Sequence, residues 1–522
     1  MRQSPVRRPA VSRLQAFSSE TGGGLASSER TRRRPAASIR VLFATSECAP
    51  WVKTGGLGDV AGALCAALRA AGHDVRVLMP AYRSVRARIE GHGPVATIAA
   101  SAPMPSASLI ETRLPGDVPV LLIDCPELYD RDGGPYLDPQ GRDWPDNATR
   151  FALLSRIAAL LSSAASPIAW RPKILHCNDW QTGPAAAIAA LSAVAHAKTV
   201  MTVHNLAFQG VFPGDLTALI GVPPDAFGIE GVEYYGGTSF LKAGLMFADR
   251  LTTVSPTYAR EIQSAPLGFG LEGVLAKRRD RLVGILNGID ETVWDPARDP
   301  LLEVTYDAAT LDRKARNKAA LQRAMRLDVR ADVPLFGVVS RLTSQKGADI
   351  VASLAPRIAA LPAQLAVLGT GDRDIERALL AAAASHRGWV STIVGFDEHL
   401  AHRIEGGADA FLMPSRFEPS GLNQMYSQRY GTPPVAHATG GLRDSIVDAT
   451  PAALDDGTAT GFLFDEPTVD ALWAAIRRAL DVYARPWQWR ALQRAGMAQR
   501  FGWAGPAQQY VALYRALVDA PA

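Results

Sequence analysis

From Ile39 onward, continuous apolar runs alternate with stretches of helical spacing, and the alternation predicts elements. IRVLFATSE reads as a buried strand, then KTGGLGDV as a loop, then a helix with Val60, Leu64, Leu68 and Ala71 on one face. Gly72 ends that helix and HDVRVLMP supplies the next strand, which makes a βαβ unit. A second unit of the same form starts near Pro334: PLFGVVS as strand, RLTSQKG as loop, ADIVASLAPRIAAL as helix, AQLAVLG as strand. Both sets of strands are apolar throughout, as parallel strands covered on two faces must be. The pattern predicts two doubly wound α/β domains with ligand chemistry at the C-terminal ends of their strands. Between them NGIDETVWDPARDP, Asn287 to Pro300, is rich in turn formers and predicts an irregular connection at the domain boundary. From Glu90 to Asn147 no period dominates, and the internal structure there is not predicted.

Length supports the division, since 522 residues exceed one ordinary core. A hydrophobic content of 48% with 20% charged residues is that of a soluble globular protein, and a net charge of +4 gives no sign of a nucleic-acid partner. Part of the positive excess lies at the start, where Arg2, Arg7, Arg8, Arg13, Arg30, Arg32, Arg33 and Arg34 meet only Glu20 and Glu29. A disordered tail over residues 1–38 is expected; a transit peptide shares that composition. Cys48, Cys65, Cys125 and Cys177 have neither CxxC spacing nor histidines at metal-site intervals, so a reduced, cytoplasmic setting is expected. The most apolar window, GPAAAIAALSAVAHA, reads as a buried helix rather than a membrane span.

Candidate chemistry falls where the strands end. KTGGLGDV places Lys53, the pair Gly55 and Gly56, and then Asp59 between a strand and a helix, which suits a phosphate or a polyhydroxylated sugar; it is neither a Walker loop nor GxGxxG. In SRLTSQKG, Arg341 and Lys346 put two cations where a diphosphate would lie, with a solvated basic turn as the alternative. His204 follows the apolar run Thr199 to Val203; a lone histidine is often structural, but a strand end favours function. FEPSGL sets Glu418 ahead of Gly421, a carboxylate beside backbone donors that can read sugar hydroxyls, and TGGLRDS repeats the glycine pair before a helix. Two DxD pairs, Asp130 with Asp132 and Asp372 with Asp374, have no third ligand in sequence. No metal is expected, because Arg341 and Lys346 can neutralise a diphosphate themselves.

In order, KTGGLGDV, HNLAFQG, SRLTSQKG, FEPSGL and TGGLRDS resemble the bacterial glycogen synthase and plant starch synthase family, from about Ile39 to the C-terminus. FLKAGLMFADRLTTVSPTYAREI and ILNGID match it too. The resemblance implies a retaining glycosyltransferase of the GT-B type, two Rossmann-like domains facing a deep cleft. It implies transfer of glucose from ADP-glucose to the non-reducing end of an α-1,4-glucan, in glycogen biosynthesis, without a metal or other cofactor. By the same resemblance, residues 39–290 form the glucan or acceptor domain and 291–495 the nucleotide-sugar domain. Residues 496–522, with GPAQQYVALYRALV, form a helix crossing back to the first domain.

Carried over by position, Lys53 and Gly56 touch the donor phosphate and sugar, Arg341 and Lys346 bind the diphosphate, and Asp146, His204 and Glu418 line the transferred glucose. Gly55, Asp59, Asn205, Gly421, Leu422, Thr439, Gly440 and Gly441 complete the implied substrate-binding set. The assignment is physically coherent: cleavage of the sugar–phosphate bond leaves negative charge on ADP, and cations there stabilise the transition state more than the ground state. A hydrolase would need two opposed carboxylates instead.

Three positions depart from the family pattern. Ser420 stands where Cys is usual, Ala436 and His437 where bacterial members often carry Arg-Arg, and Phe396 where Tyr is frequent. Three rivals remain at this stage. One is a glycogen phosphorylase, for which no pyridoxal phosphate lysine can be placed; another is a catalytically silent glucan-binding protein, which would not need diphosphate cations. The third is a transferase using UDP-glucose.

Overall fold

The computed structural model describes residues 37–520; the Arg-rich tail lies almost wholly outside them. The first half is built on a nine-stranded sheet. Its strands are β1 (Arg40–Ala44), β2 (Asp74–Pro80), β3 (Ala96–Ile98), β4 (Ala107–Leu114), β5 (Val118–Asp124), β6 (Ile174–Asn178) and β7 (Lys198–Val203). β11 (Arg250–Thr253) and β12 (Leu282–Gly284) complete it, in the order β12-β11-β7-β6-β1-β2-β5-β4-β3. Between β7 and β11 the chain makes a separate three-stranded sheet from β8 (Val211–Pro213), β9 (Glu233–Tyr234) and β10 (Gly237–Ser239). The second half has six parallel strands: β13 (Leu335–Val339), β14 (Gln364–Gly369), β15 (Val390–Val394), β16 (Ala410–Met413), β17 (Pro434–His437) and β18 (Phe462–Phe464). Their order, β15-β14-β13-β16-β17-β18, is the doubly wound one.

The strands around β1 and the central strands of the second sheet are parallel and apolar for the reason read from sequence, since helices cover both faces, whereas the edge strand β15 carries Ser391 and Thr392 and exposes Ile393 and Val394. The unpredicted stretch from Glu90 to Asn147 supplies the exception. β3, β4 and β5 pair antiparallel at one edge, followed by a loop and the helix Asn147–Ser162. In the apolar window near Ala185 the helix covers only Gly183–Leu191, and no described helix is long and apolar enough to cross a membrane.

Each sheet has one switch point. The chain leaves β1 towards β2 on one side and returns through β6 on the other; in the second sheet β13 is flanked by β14 and β16 in the same way. The crevice outside such a point is where α/β sheets bind ligands. No helix or strand forms between β12 and Leu311. The chain crosses back after the helix Pro486–Met497, and the helix Ala504–Val518 buries Tyr510 and Tyr514 in the core of the first half. Tyr514 Oη lies 2.7 Å from Nδ1 of the buried His176. The two crossings run together, with Ile289 N donating to Phe501 O at 2.8 Å.

Candidate active site

In the first half, β1 delivers the chain to Lys53 and the glycine pair. Gly55 is the N-cap of the helix Gly56–Ala70, and a Cβ at Gly55 or Gly56 would meet nothing within 4 Å, so a ligand can reach this backbone. Lys53 Nζ pairs with Asp59 at 2.9 Å across the first turn. Burial pushes the Asp59 carboxyl up and the Lys53 cation pulls it down. The loop is fixed by a residue that the sequence reading missed: buried Glu47, whose Oε2 accepts from Thr54 N at 2.5 Å and Gly55 N at 3.3 Å. Tyr136 donates its hydroxyl to the other oxygen of Glu47. A single acid ahead of a glycine loop has no pattern of its own; its partners are backbone groups that sequence does not display.

His204 sits just past β7. Its backbone N donates to Asp179 Oδ1 at 2.7 Å and its Nε2 lies 3.0 Å from Asn178 Oδ1, which assigns the proton to Nε2. Burial pushes the imidazole down to about 3, so the ring is neutral at pH 7. Asp179 is held at φ +54, a conformation that side chains rarely adopt, and burial pushes its carboxyl up to about 7. Asn178 and Asp179 were legible as a polar pair at a strand end, the signal used for His204, but were not read so. Asn205 turns its side-chain oxygen to Ala207 N at 3.1 Å. Asp146 caps the helix Asn147–Ser162 without a side-chain cap bond; Arg131 grips its carboxylate with two bonds, at 2.9 and 2.8 Å.

In the second half, Lys346 and Glu418 come from the loops after β13 and β16, on either side of the switch point. Lys346 Nζ donates to both carboxylate oxygens of Glu418, at 2.8 and 2.6 Å, and Ser415 Oγ adds a bond at 2.9 Å. The residues read separately as diphosphate cation and sugar-binding carboxylate thus form one ion pair, with the Glu418 side chain 6% exposed and that of Lys346 22%. Gly347 allows it, because a Cβ there would lie 2.1 Å from Pro414 O. Arg341 is exposed and donates to Gln345 Oε1 at 3.0 Å. Gly421 adopts φ +66 and Leu422 caps the helix Asn423–Arg429 while packing against Met425 and Tyr426.

Thr439, Gly440 and Gly441 are brought to the same place, but their donors are engaged. Gly440 N donates to Glu261 Oε1 at 3.1 Å, Thr439 Oγ1 to the same atom at 3.1 Å, and Gly441 N to Glu418 O at 3.1 Å. A Cβ would lie 2.0 Å from Glu418 O at Gly440 and 1.9 Å from Ser420 O at Gly441, so this glycine pair lets two backbones meet. The two halves also touch through Phe269 and Phe417, ring centroids 5.3 Å apart. Tyr258, which accepts from Leu206 N at 3.0 Å, is pushed up by burial, and the charges of Asp179 and Glu418 both raise it further. Tyr258 thus stands between the Asp179–His204 turn of the first half and Glu418 of the second, whereas Asp146 is paired with Arg131 and Arg341 with Gln345.

Two features stand outside this cluster. Asp130 and Asp132 are both taken up by Arg83, at 2.9 and 2.8 Å, and among the described residues no three His, Cys, Asp or Glu could hold a metal ion. Of the family departures, Ala436 is fully buried in β17, His437 faces the carbonyls of Ser415 and Asp465, and Phe396 is 83% exposed.

The geometry agrees with what the chain is similar to. The family described as starch synthase catalytic domain matches residues 40–277, and glycosyl transferases group 1 matches 326–491. A glycogen synthase of Aromatoleum aromaticum is 55% identical over 94% of this chain and 99% of its own, and one of Nitrosospira multiformis is 52% identical over 92% and 98%. Among solved structures, the catalytic domain of starch synthase IV from Arabidopsis thaliana, bound to ADP and acarbose, superposes with a TM-score of 0.81 at 30% identity, covering 93% of this chain and all of that one. Sucrose-phosphate synthase from Thermosynechococcus elongatus shares the fold, with a TM-score of 0.56 at 19% identity. With two doubly wound halves, converging motifs and these relatives, the chain belongs to the glycogen and starch synthase family of GT-B glycosyltransferases.

Proposed function

We propose that the chain transfers glucose from ADP-glucose to the non-reducing end of an α-1,4-glucan, with retention at the anomeric carbon and without a metal or other cofactor. The relatives named glycogen synthase and the starch synthase that holds ADP and acarbose support the substrates. The observation that carries the mechanism is the Lys346–Glu418 pair at the second switch point. A donor diphosphate beside Arg341 and Lys346 takes up their charge, which frees Glu418 to accept from glucose hydroxyls. Lys53 and the open backbone at Gly55 and Gly56 approach the same diphosphate from the first half.

As the sugar–phosphate bond breaks, positive charge grows at the anomeric carbon and negative charge on the departing ADP. The cations hold the second, while neutral His204 and its backbone carbonyl face the first without adding a positive charge. The acceptor hydroxyl attacks from the face that ADP leaves, which retains configuration. Asp146, held by two bonds from Arg131, accepts from a glucose hydroxyl. The four cysteines are free and buried, which suits a cytoplasmic enzyme.

The test is ADP release with ADP-glucose plus glycogen against ADP-glucose alone, repeated with UDP-glucose and with EDTA. Release that depends on glycogen, prefers the adenine donor and survives EDTA is expected. Restoration by magnesium or manganese after chelation would reopen the metal question; no glycogen-dependent release would overturn the transferase.

A further inference from the structure

The contact between the helix Pro256–Glu261 and the helix Gly440–Ser445 is reciprocal. Asp444 of the second half accepts from Thr257 N at 2.8 Å and from Thr257 Oγ1 at 2.6 Å; Glu261 of the first half accepts from Gly440 N and Thr439 Oγ1. Thr257 and Thr439 are 5% and 3% exposed, while the carboxylates of Glu261 and Asp444 are half-buried, so these bonds are partly shielded from water. Charge-assisted bonds in such a place are about twice as strong as neutral ones.

The chain of contacts does not stop at Glu261. Gly441 N, one residue beyond the Glu261 bond, donates to Glu418 O and, at 3.2 Å, to Pro419 O, while the absent Cβ atoms of Gly440 and Gly441 let the FEPSG backbone lie against this turn. Glu261 therefore ties the first half to the backbone that carries Glu418. Arg260, beside it, donates to Thr257 Oγ1 at 2.7 Å and completes the cluster.

We infer that Glu261 is a positioning residue of the glucosyl site: through Gly440 and Gly441 it holds the backbone that carries Glu418 in place. This rests on the transferase reading above. The Glu261 carboxylate is taken up by Thr439 and Gly440, so it acts on turnover by placing Glu418.

The experiment uses the full chain with Glu261→Ala and Glu261→Gln, and three readouts. Amide hydrogen exchange should rise about tenfold in the Ala variant over residues 439–442 and also over 415–421. ADP affinity by calorimetry should stay within about twofold, because Arg341 and Lys346 are untouched, while kcat falls about 10- to 100-fold with KM for ADP-glucose little changed. The Gln variant keeps an acceptor oxygen and should recover most of the protection and most of kcat. Exchange confined to 439–442 with normal kcat overturns the proposal, as does ADP affinity falling in step with kcat. If the wild-type chain fails to transfer glucose, the transferase reading falls, and the exchange at 415–421 alone decides whether Glu261 holds Glu418.

Discussion

Lys346 gives two bonds to Glu418, and that fixes what its removal does. Lys346→Ala should lower kcat by roughly 2 to 4 kcal/mol of transition-state stabilisation while glucan binding, measured by affinity electrophoresis, changes little. Near-normal turnover would remove Lys346 from the mechanism. Buried titrating groups set a second residue-level effect. His176 and His204 are both pushed down to about 3, below their unfolded value near 6.5, so the stability they contribute is present above pH 6.5 and lost as pH falls towards 3. Asp179, pushed up to about 7 from an unfolded value near 3.9, runs the other way: its contribution is full below about 4 and lost as pH rises through 7. Between about pH 4 and 6.5 two histidine protons oppose one carboxyl proton, so the three groups together make stability rise by about 1.4 kcal/mol per pH unit. Asp179→Asn should steepen that limb to about twice the slope in denaturant titrations across pH; an unchanged slope would mean Asp179 is ionised throughout. At Ser420 the buried hydroxyl has no partner, so Ser420→Cys should leave turnover intact and raise the unfolding midpoint in urea.

Two glycine pairs that look alike in sequence divide at the scale of elements. Gly55 and Gly56 open the helix Gly56–Ala70 onto free space, whereas Gly440 and Gly441 open the helix Gly440–Ser445 against the backbone of Glu418 to Ser420. Gly56→Ala should therefore leave stability within about 0.5 kcal/mol and raise KM for the donor, because the new methyl stands where a ligand reaches the backbone. Gly441→Ala should cost roughly 1 to 3 kcal/mol of stability and lower kcat, because the FEPSG loop must shift. Equal stability losses in the two variants would show that both pairs serve packing. This difference was not legible, because the decisive contact joins segments some twenty residues apart and runs through backbone atoms. The βαβ units were legible because burial on both faces imposes an apolar run, and strand ends located Lys53, His204, Lys346 and Glu418. Glu47, Asp179 and Glu261 were not found: each is a single acid whose partners are backbone N–H groups and hydroxyls that the pattern of residue types does not display. The antiparallel edge formed by β3 to β5 was missed because the strand Ala107–Leu114 mixes apolar and polar residues without strict alternation, and strand direction is not written in such a pattern.

Across the whole molecule, the residues of the proposed site are divided between the halves. Lys53, Asp146 and His204 belong to the first, Arg341, Lys346 and Glu418 to the second, and two crossings join them. Those crossings are neighbours: Ile289 N bonds Phe501 O, and Gly288 lies so close that a Cβ would stand 2.9 Å from Phe501 O and Trp503 N. Beyond them Trp294 stacks on His402 and Tyr426 at 3.8 Å, which anchors the first crossing to the second half, while Tyr510 and Tyr514 anchor the return helix to the first. Firm anchors on either side of a short shared segment concentrate rotation there, the arrangement of a hinge. Closure about it would expel water from the reacting glucosyl centre and protect it from hydrolysis. ADP together with a maltooligosaccharide should therefore reduce the radius of gyration in solution scattering and shorten the distance between Glu418 and His204 in crystals. Gly288→Ala, which wedges the two crossings apart, should weaken that compaction while leaving ADP binding to the second half intact. An active enzyme whose Glu418–His204 distance is the same with and without these ligands would rule closure out, and would place water exclusion in the loops of a fixed cleft instead.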